Sequence, residues 1–204
     1  MQTVSILFES EEIAALKSQV GGKFSTFEVL SAWLWRSRSK ALNILVEQEA
    51  RLSFPVDMRS RLQPALPRGY YGNAVTASFV VARAGDLIEK PMSFAVKLIN
   101  DAKRIVDDGY IRAQIDMMEV KGRTPPTLVG SFIFSDNTKV DFAGVDFGWG
   151  KAEYGGVAVA GIPRTAVSVR VRSTSSGMEK IVVPICLPTA AIQTFQEELR
   201  YPTC

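Results

Sequence analysis

Val145-Asp146-Phe147-Gly148-Trp149-Gly150-Lys151 is the stretch around which the rest of this chain is organised. Two glycines bracket a tryptophan, and an aspartate precedes them. Gly148 and Gly150 permit positive φ or close backbone approach. Trp149 brings a large apolar ring whose N–H needs a partner when buried. Asp146 brings a charge that is buried only when paired. The residues describe a tight, aromatic-packed turn anchored by an ionic contact, a structural role rather than a catalytic one, because loop glycines mostly serve turn geometry.

Working outward, Leu128 to Ser135 reads as a strand, broken by Asp136-Asn137-Thr138. After the tryptophan turn comes a loop with Gly155, Gly156 and Gly161. Thr165 to Arg172 alternates, with Val167, Val169 and Val171 on one side, as a half-buried strand does. Ser173 to Gly177 is a turn, and Lys180 to Leu187 returns as an apolar strand, which makes a hairpin. Thr189 caps a last helix with Ile192, Phe195 and Leu199 on one face.

Toward the beginning of the chain, Val4 to Phe8 reads as a strand and Glu11 to Val20 as a helix capped by Ser10 and stopped by Gly21 and Gly22. Ser25-Thr26-Phe27-Glu28 is a capping box, in which serine and glutamate each satisfy the other's backbone N–H. It opens a helix to about Leu42, with a buried stripe of Phe27, Leu30, Trp33 and Leu34. An anion contact at Ser25 or Thr26 is compatible with that cap, because helix N-termini attract anions. Arg36, Arg38 and Lys40 form the densest basic cluster; a solvated helix face is the expected setting, and a phosphate contact the sharper alternative. Arg51 to Met58 and Ala74 to Ala82 read as strands, separated by Pro64, Pro67 and the turn Gly69-Tyr70-Tyr71-Gly72-Asn73. Pro91 suits the first turn of a helix whose stripe runs through Phe94, Leu98, Ile99, Ala102, Ile105 and Val106 to about Asp108. Tyr110 to Val120 gives a further helix, and Gly122 to Thr127 a loop. Mixed helices and strands with a late antiparallel pair indicate an α/β or α+β fold with a mixed sheet flanked by helices.

With 204 residues, 47% of them hydrophobic, the chain has ample material for a core. The net charge of +3, with no block of five or more like charges, gives weak support to nucleic-acid binding. No apolar run reaches the length of a membrane span and no signal peptide opens the chain, so no membrane association is expected. Cys186 and Cys204 suggest neither a disulfide framework nor a metal site, which points to a reducing, cytoplasmic setting. The chain contains no histidine, so any reaction that needs a histidine base must take it from elsewhere. A P-loop, a Rossmann glycine fingerprint and a nucleophile elbow are also missing.

Asp146-Phe147-Gly148-Trp149-Gly150 resembles the second signature of the plant BAHD acyltransferases, enzymes of plant specialised metabolism. The resemblance extends in order through Ser25-Thr26-Phe27-Glu28, Trp33-Leu34-Trp35-Arg36, Asp57-Met58-Arg59-Ser60-Arg61, Tyr70-Tyr71-Gly72-Asn73, Ser135-Asp136-Asn137-Thr138-Lys139 and Val182-Val183-Pro184-Ile185. It implies a chloramphenicol-acetyltransferase-like domain, with residues 1–204 as the C-terminal half of an enzyme that moves an acyl group from a coenzyme A thioester to an alcohol or amine. The family's catalytic His-x-x-x-Asp belongs to the other half, so no catalytic residue is expected in this chain, no metal is needed, and the chain alone is expected to be inactive. The partner it implies is that N-terminal half, or a second copy through self-association. The alternative is a non-catalytic truncated homologue that binds acyl-CoA or a partner domain.

By the same resemblance, Asp146 is expected to pair with Arg59, and less readily with Arg61, as a structural element of the motif Asp146, Phe147, Gly148, Trp149 and Gly150. Ser25, Thr26 and Lys23 are the candidates for coenzyme A contacts, and Gly155 and Gly156 for the tunnel wall. Ser135 and Asn137 are the candidates for the acceptor side. The bland alternatives for these residues are cap and turn.

Overall fold

The structure, a computed structural model, describes residues 1–122, 130–142, 144–150, 152, 155–157, 162–172 and 179–200. In chain order the elements are β1 (Gln2–Phe8), α1 (Ser10–Val20), α2 (Thr26–Ala41), β2 (Glu49–Asp57), β3 (Val75–Arg83), α3 (Ala84–Glu89), α4 (Met92–Arg104), α5 (Asp108–Lys121), β4 (Ser131–Asp136), β5 (Thr165–Arg172), β6 (Glu179–Leu187) and α6 (Thr189–Arg200). The strands form one mixed sheet in the order β1-β6-β5-β4-β2-β3. β1/β6, β5/β6 and β2/β3 are antiparallel, whereas β2/β4 and β4/β5 run parallel. The parallel step from β2 to β4 needs a long crossover, and α3, α4 and α5 all lie along it.

α2 is the centre of the molecule. It packs against α1, α3, α4, α6 and β4, and from Glu28 to Ala41 nearly every residue is buried. A helix surrounded in this way has no solvent stripe, which is why Trp33, Leu34 and Trp35 stand consecutively. Beneath it Leu52, Phe54, Phe132, Phe134, Val183 and Ile185 fill the inner side of the sheet. Phe27 joins helix to sheet, edge-on to Phe54 at 5.2 Å and stacked on Phe134 at 6.0 Å between ring centroids.

The capping box is present as expected: the Ser25 N–H donates to Glu28 Oε2 at 2.7 Å and the Glu28 N–H to Ser25 Oγ at 3.3 Å. Glu28 is only 2% exposed and also receives Lys103 Nζ and, at 3.0 Å, Asn100 Nδ2 from α4. Burial pushes its carboxyl upward, but Lys103, the Ser25 amide and Asn100 outweigh that and hold it below the ordinary carboxylate range.

Several boundaries differ from the sequence reading. α1 is capped by Glu9, in a capping box with Glu12, and Ser10 is already helical. α3 went unrecognised, and α4 ends at Arg104 rather than near Asp108, where Asp107 caps α5. The basic cluster is not a solvated face: Arg36 and Arg38 are 5% and 6% exposed, and Lys40 pairs with Glu198 at 2.7 Å. Tertiary packing around α2 overrides the expectation for charged residues, and Arg36 spans to the Ile88 carbonyl of α3. The strand reading of 128–129, most of the 122–127 loop and the 173–177 turn lie outside the described residues.

At the sheet's edge strand β3, side chains of α5 meet one backbone carbonyl. The Tyr110 O–H and Gln114 Nε2 of α5 donate to the Ala77 carbonyl at 3.0 and 3.2 Å. α5 buries none of its residues, and Ile115, Met117, Met118 and Val120 remain exposed.

Candidate functional site

The helices cover one face of the sheet over β2, β3 and β4, and among the described residues the other face is open. Alternation in β2 sends Ala50, Leu52, Phe54 and Val56 to the core and Arg51, Ser53 and Pro55 outward. β3 carries apolar residues on both faces, with Val80 and Ala82 in the core. Thr76 and Ser78 turn inward, where Thr76 meets Gln114 and the Ser78 O–H donates to the Ala102 carbonyl at 3.0 Å. Val75, Ala77, Phe79 and Val81 turn outward, and three of them are exposed. With Ser131, Ile133 and Ser135 of β4 these outward residues border a concavity of about 790 Å³. A mainly apolar hollow with a few hydroxyls and one ion pair, Arg51 with Glu49 at 2.8 Å, has the make-up of a small-molecule site.

Ser135 therefore sits on this open face. Asn137 follows it, half-buried, with its N–H on the Ser168 carbonyl at 2.9 Å and its Oδ1 at 3.5 Å from Ser135 Oγ. Between them Asp136 accepts from the Thr138 N–H at 3.0 Å and from Ser168 Oγ at 2.7 Å, fixing the end of β4 to β5.

A second, smaller concavity of about 340 Å³ lies at the start of α2. Thr26 borders it, together with Lys17 of α1 and Arg170, Glu179 and Lys180 of the β5/β6 pair. Arg170 is held by Glu179 and Lys180 by Glu9, each at 2.7 Å, whereas Lys17 has no ion-pair partner among the described residues. Ser25 is exposed beside it; its Oγ serves as the cap acceptor, which leaves the O–H available to donate. Lys23 is exposed in the connection between α1 and α2. Free N–H groups at a helix start and nearby cations suit a phosphate-bearing ligand. The sequence reading found Ser25 and Thr26 but missed Lys17, Arg170 and Lys180, because the register that brings β6 beside α1 is not written in either segment alone.

The tryptophan turn differs from its expectation in two respects. Asp146 does not pair with Arg59: its Oδ1 accepts the N–H groups of Gly148 at 2.7 Å and Gly150 at 3.1 Å. Arg59 instead pairs with Asp57 at 3.0 Å and donates to the Gly72 carbonyl at 3.1 Å. Asp57 is held below the ordinary range first by the Arg59 N–H and then by its guanidinium. Arg61 donates to the Lys103 and Val106 carbonyls, so it is not the partner of Asp146 either. Nor is the turn packed: Phe147 and Trp149, tilted against each other with centroids 6.1 Å apart, are 75% and 87% exposed. The two glycines do need their freedom, with φ of 101° at Gly148 and 120° at Gly150. Gly155 is half-buried where a Cβ would stand 2.3 Å from that of Phe142, a packing demand that accounts for the glycine by itself. Gly156 is half-buried beside it.

Residues 5–201 match a family model described as the Transferase family. The chain is 42% identical over 201 residues to a benzyl alcohol O-benzoyltransferase of Nicotiana tabacum, an alignment that covers 96% of this chain and 44% of that protein. It belongs to the transferase family of plant BAHD acyltransferases. Alcohol acyltransferase 1 of Actinidia chinensis var. chinensis is 40% identical over 200 residues, with 96% of this chain and 43% of the relative covered. The chain thus spans less than half the length of the curated BAHD relatives it matches. The fold is shared with TRI101 of F. sporotrichioides, solved with coenzyme A and T-2, at a TM-score of 0.76 and 18% identity, covering 98% of this chain and 50% of that one. No group of acidic, cysteine or histidine side chains that could hold a metal occurs among the described residues.

Proposed function

We propose that residues 1–204 form the C-terminal domain of a coenzyme A-dependent acyltransferase that acts on an alcohol or amine. The observation that carries this reading is the open sheet face, whose outward apolar residues in β3 call for a second body to complete a cavity. In this reading that body is the N-terminal half of the enzyme. Phe79, Val81 and Ile133 form one wall of an acyl-transfer tunnel and keep water from the thioester. Ser135 and Asn137 meet the acceptor. The thioester's phosphates lie toward Ser25, Thr26 and Lys17, with Lys23 at the rim, and Gly155 and Gly156 border the path. The exposed aromatic turn docks on the same second body.

The acceptor hydroxyl needs a base, and this chain has no histidine to offer. General-base catalysis contributes about 10²–10⁴-fold. The chain alone therefore binds acyl-CoA without useful turnover, in a cytoplasmic setting. Calorimetry with benzoyl-CoA is expected to show binding that weakens in Lys17→Ala, and an assay over a panel of alcohols is expected to show no ester. Turnover at the rate of intact relatives would refute the reading; absence of any acyl-CoA binding would refute the assignment of the smaller concavity. The second reading, a homologue that binds acyl-CoA without catalysis, is favoured by the missing histidine alone. Adding a family N-terminal half that carries His-x-x-x-Asp separates the two, since restored turnover supports the enzyme.

A further inference from the structure

β1 stands at one end of the sheet, with β6 on one side and no strand of this chain on the other among the described residues. It pairs with β6 without a bulge, from Gln2 opposite Leu187 to Phe8 opposite Ile181. In an antiparallel pair, alternate residues direct both N–H and C=O away from the partner strand. Every second residue of β1 therefore presents those groups outward. At the opposite edge, Tyr110 and Gln114 of α5 reach the Ala77 carbonyl of β3. At β1, by contrast, Gln2, Val4, Ser5, Ile6, Leu7 and Phe8 make no hydrogen bond or ion pair with described residues other than those of β6.

The usual protections of an edge are a short strand, a charged side chain, a proline or a bulge. Gln2–Phe8 has none of them: it runs for seven residues without a charge, a proline or a glycine. Its alternation is regular. Val4, Ile6 and Phe8 pack against the core, while Thr3, Ser5 and Leu7 are exposed on the other face, Leu7 by 46%. We propose that β1 is a self-pairing edge, through which two copies of this chain join β1 to β1 antiparallel and continue one sheet across both. A second copy is the occupant the strand itself specifies. An antiparallel twofold makes each edge the partner of its own equivalent, and an uncharged strand selects no partner of opposite charge. The register that sets Ser5 opposite Ser5 is the one that pairs all seven residues. It brings Val4 against Ile6 on the core side and Thr3 against Leu7 on the other, so the two faces match and no like charges meet. β1 and β3 are the two ends of the sheet, so this junction leaves the hollow at β2, β3 and β4 free and does not depend on the acyl-CoA reading.

The test is analytical ultracentrifugation of the chain over a range of concentrations at low ionic strength. The unsubstituted chain is expected to show a monomer–dimer equilibrium. Ser5→Lys sets two like charges opposite each other across the axis, and should raise the dissociation constant by about fivefold or more. Ser5→Glu should do the same. Ser5 is exposed, so both variants should keep the circular dichroism spectrum of the parent. Mixed in equal amounts, the two variants should form a dimer of one copy of each, tighter than either variant alone, because lysine then faces glutamate. A chain that stays monomeric at every concentration would overturn the proposal. So would a dimer that neither Ser5 variant weakens, held for instance by the aromatic turn at Trp149, or a mixture that associates no better than its components.

Discussion

The start of α2 and the tryptophan turn use the same device to different effect. In each, a carboxylate accepts backbone N–H groups within a few residues of itself: Glu28 from Ser25, and Asp146 from Gly148 and Gly150. Glu28 is also tied to Lys103 and Asn100 and lies beneath a packed helix, 2% exposed. Asp146 holds a turn whose two aromatic rings stand in solvent. A local cap sets backbone geometry in both places. Only where other elements pack on the cap does it bear on the stability of the whole domain, so the two regions should respond very differently to substitution.

The largest effect is expected within α2. Trp35→Ala removes a side chain that is buried from every direction and leaves a cavity, at a cost of about 3–5 kcal/mol. The Tm should drop by about 10 °C or the chain should fail to fold, measured by circular dichroism. A drop of a degree or two would mean that α2 is not the centre of the core.

Glu28→Gln tests the cap itself. It strands Lys103 and weakens the charge-assisted bonds from Asn100 and the Ser25 amide, at a cost of about 2–3 kcal/mol. The sign with pH follows from the depressed carboxyl. Glu28 holds its proton less tightly in the folded chain than in the unfolded one, so its stabilisation is fully present above the ordinary value of 4.5. It is lost as pH falls through the lower folded value. The gap in Tm between the unsubstituted chain and Glu28→Gln should therefore be widest near neutrality and close below about pH 4.5. A gap that does not change with pH would show that Glu28 acts only through its shape.

What the sequence disclosed follows the same division. The capping box, the alternation of β5 and the apolar run of β6 were legible because each depends on residues a few positions apart. The partner of Asp146 was not, since an aspartate followed by glycines fits both a distant arginine and its own turn, and the backbone decided for the turn. The burial of Arg36 and Arg38 was equally hidden, because it depends on α3, α4 and α6 closing around α2. The open face left one readable trace that the strand assignment alone does not use. In β3 Val75, Ala77, Phe79 and Val81 share one side, while the side toward the helices carries Thr76 and Ser78 as well as Val80 and Ala82, so apolar residues stand on both faces of the strand.

Asp146→Ala is expected to have a small effect on the chain alone. It removes two hydrogen bonds from an exposed turn, so the Tm should fall by about 2 °C or less. A collapse of the fold on this substitution would mean that the turn is anchored to the sheet after all.

Trp149→Ser should be the mildest change of all. With the ring 87% exposed, its loss removes almost no packing, and the Tm should stay within about 1 °C. Exposed side by side, Phe147 and Trp149 also make a sticky patch, so the same substitution should lower any self-association seen by analytical ultracentrifugation. The comparison becomes sharpest when the substitution is repeated in a protein that contains the N-terminal half. If that half covers the turn, Trp149→Ser there deletes a buried aromatic anchor and should cost about 2 kcal/mol or more in the stability of the assembled enzyme. An equally mild effect in both settings would mean that the ring stays in solvent, and that the glycines and Asp146 are kept for the path of the chain between β4 and β5 rather than for what the turn presents.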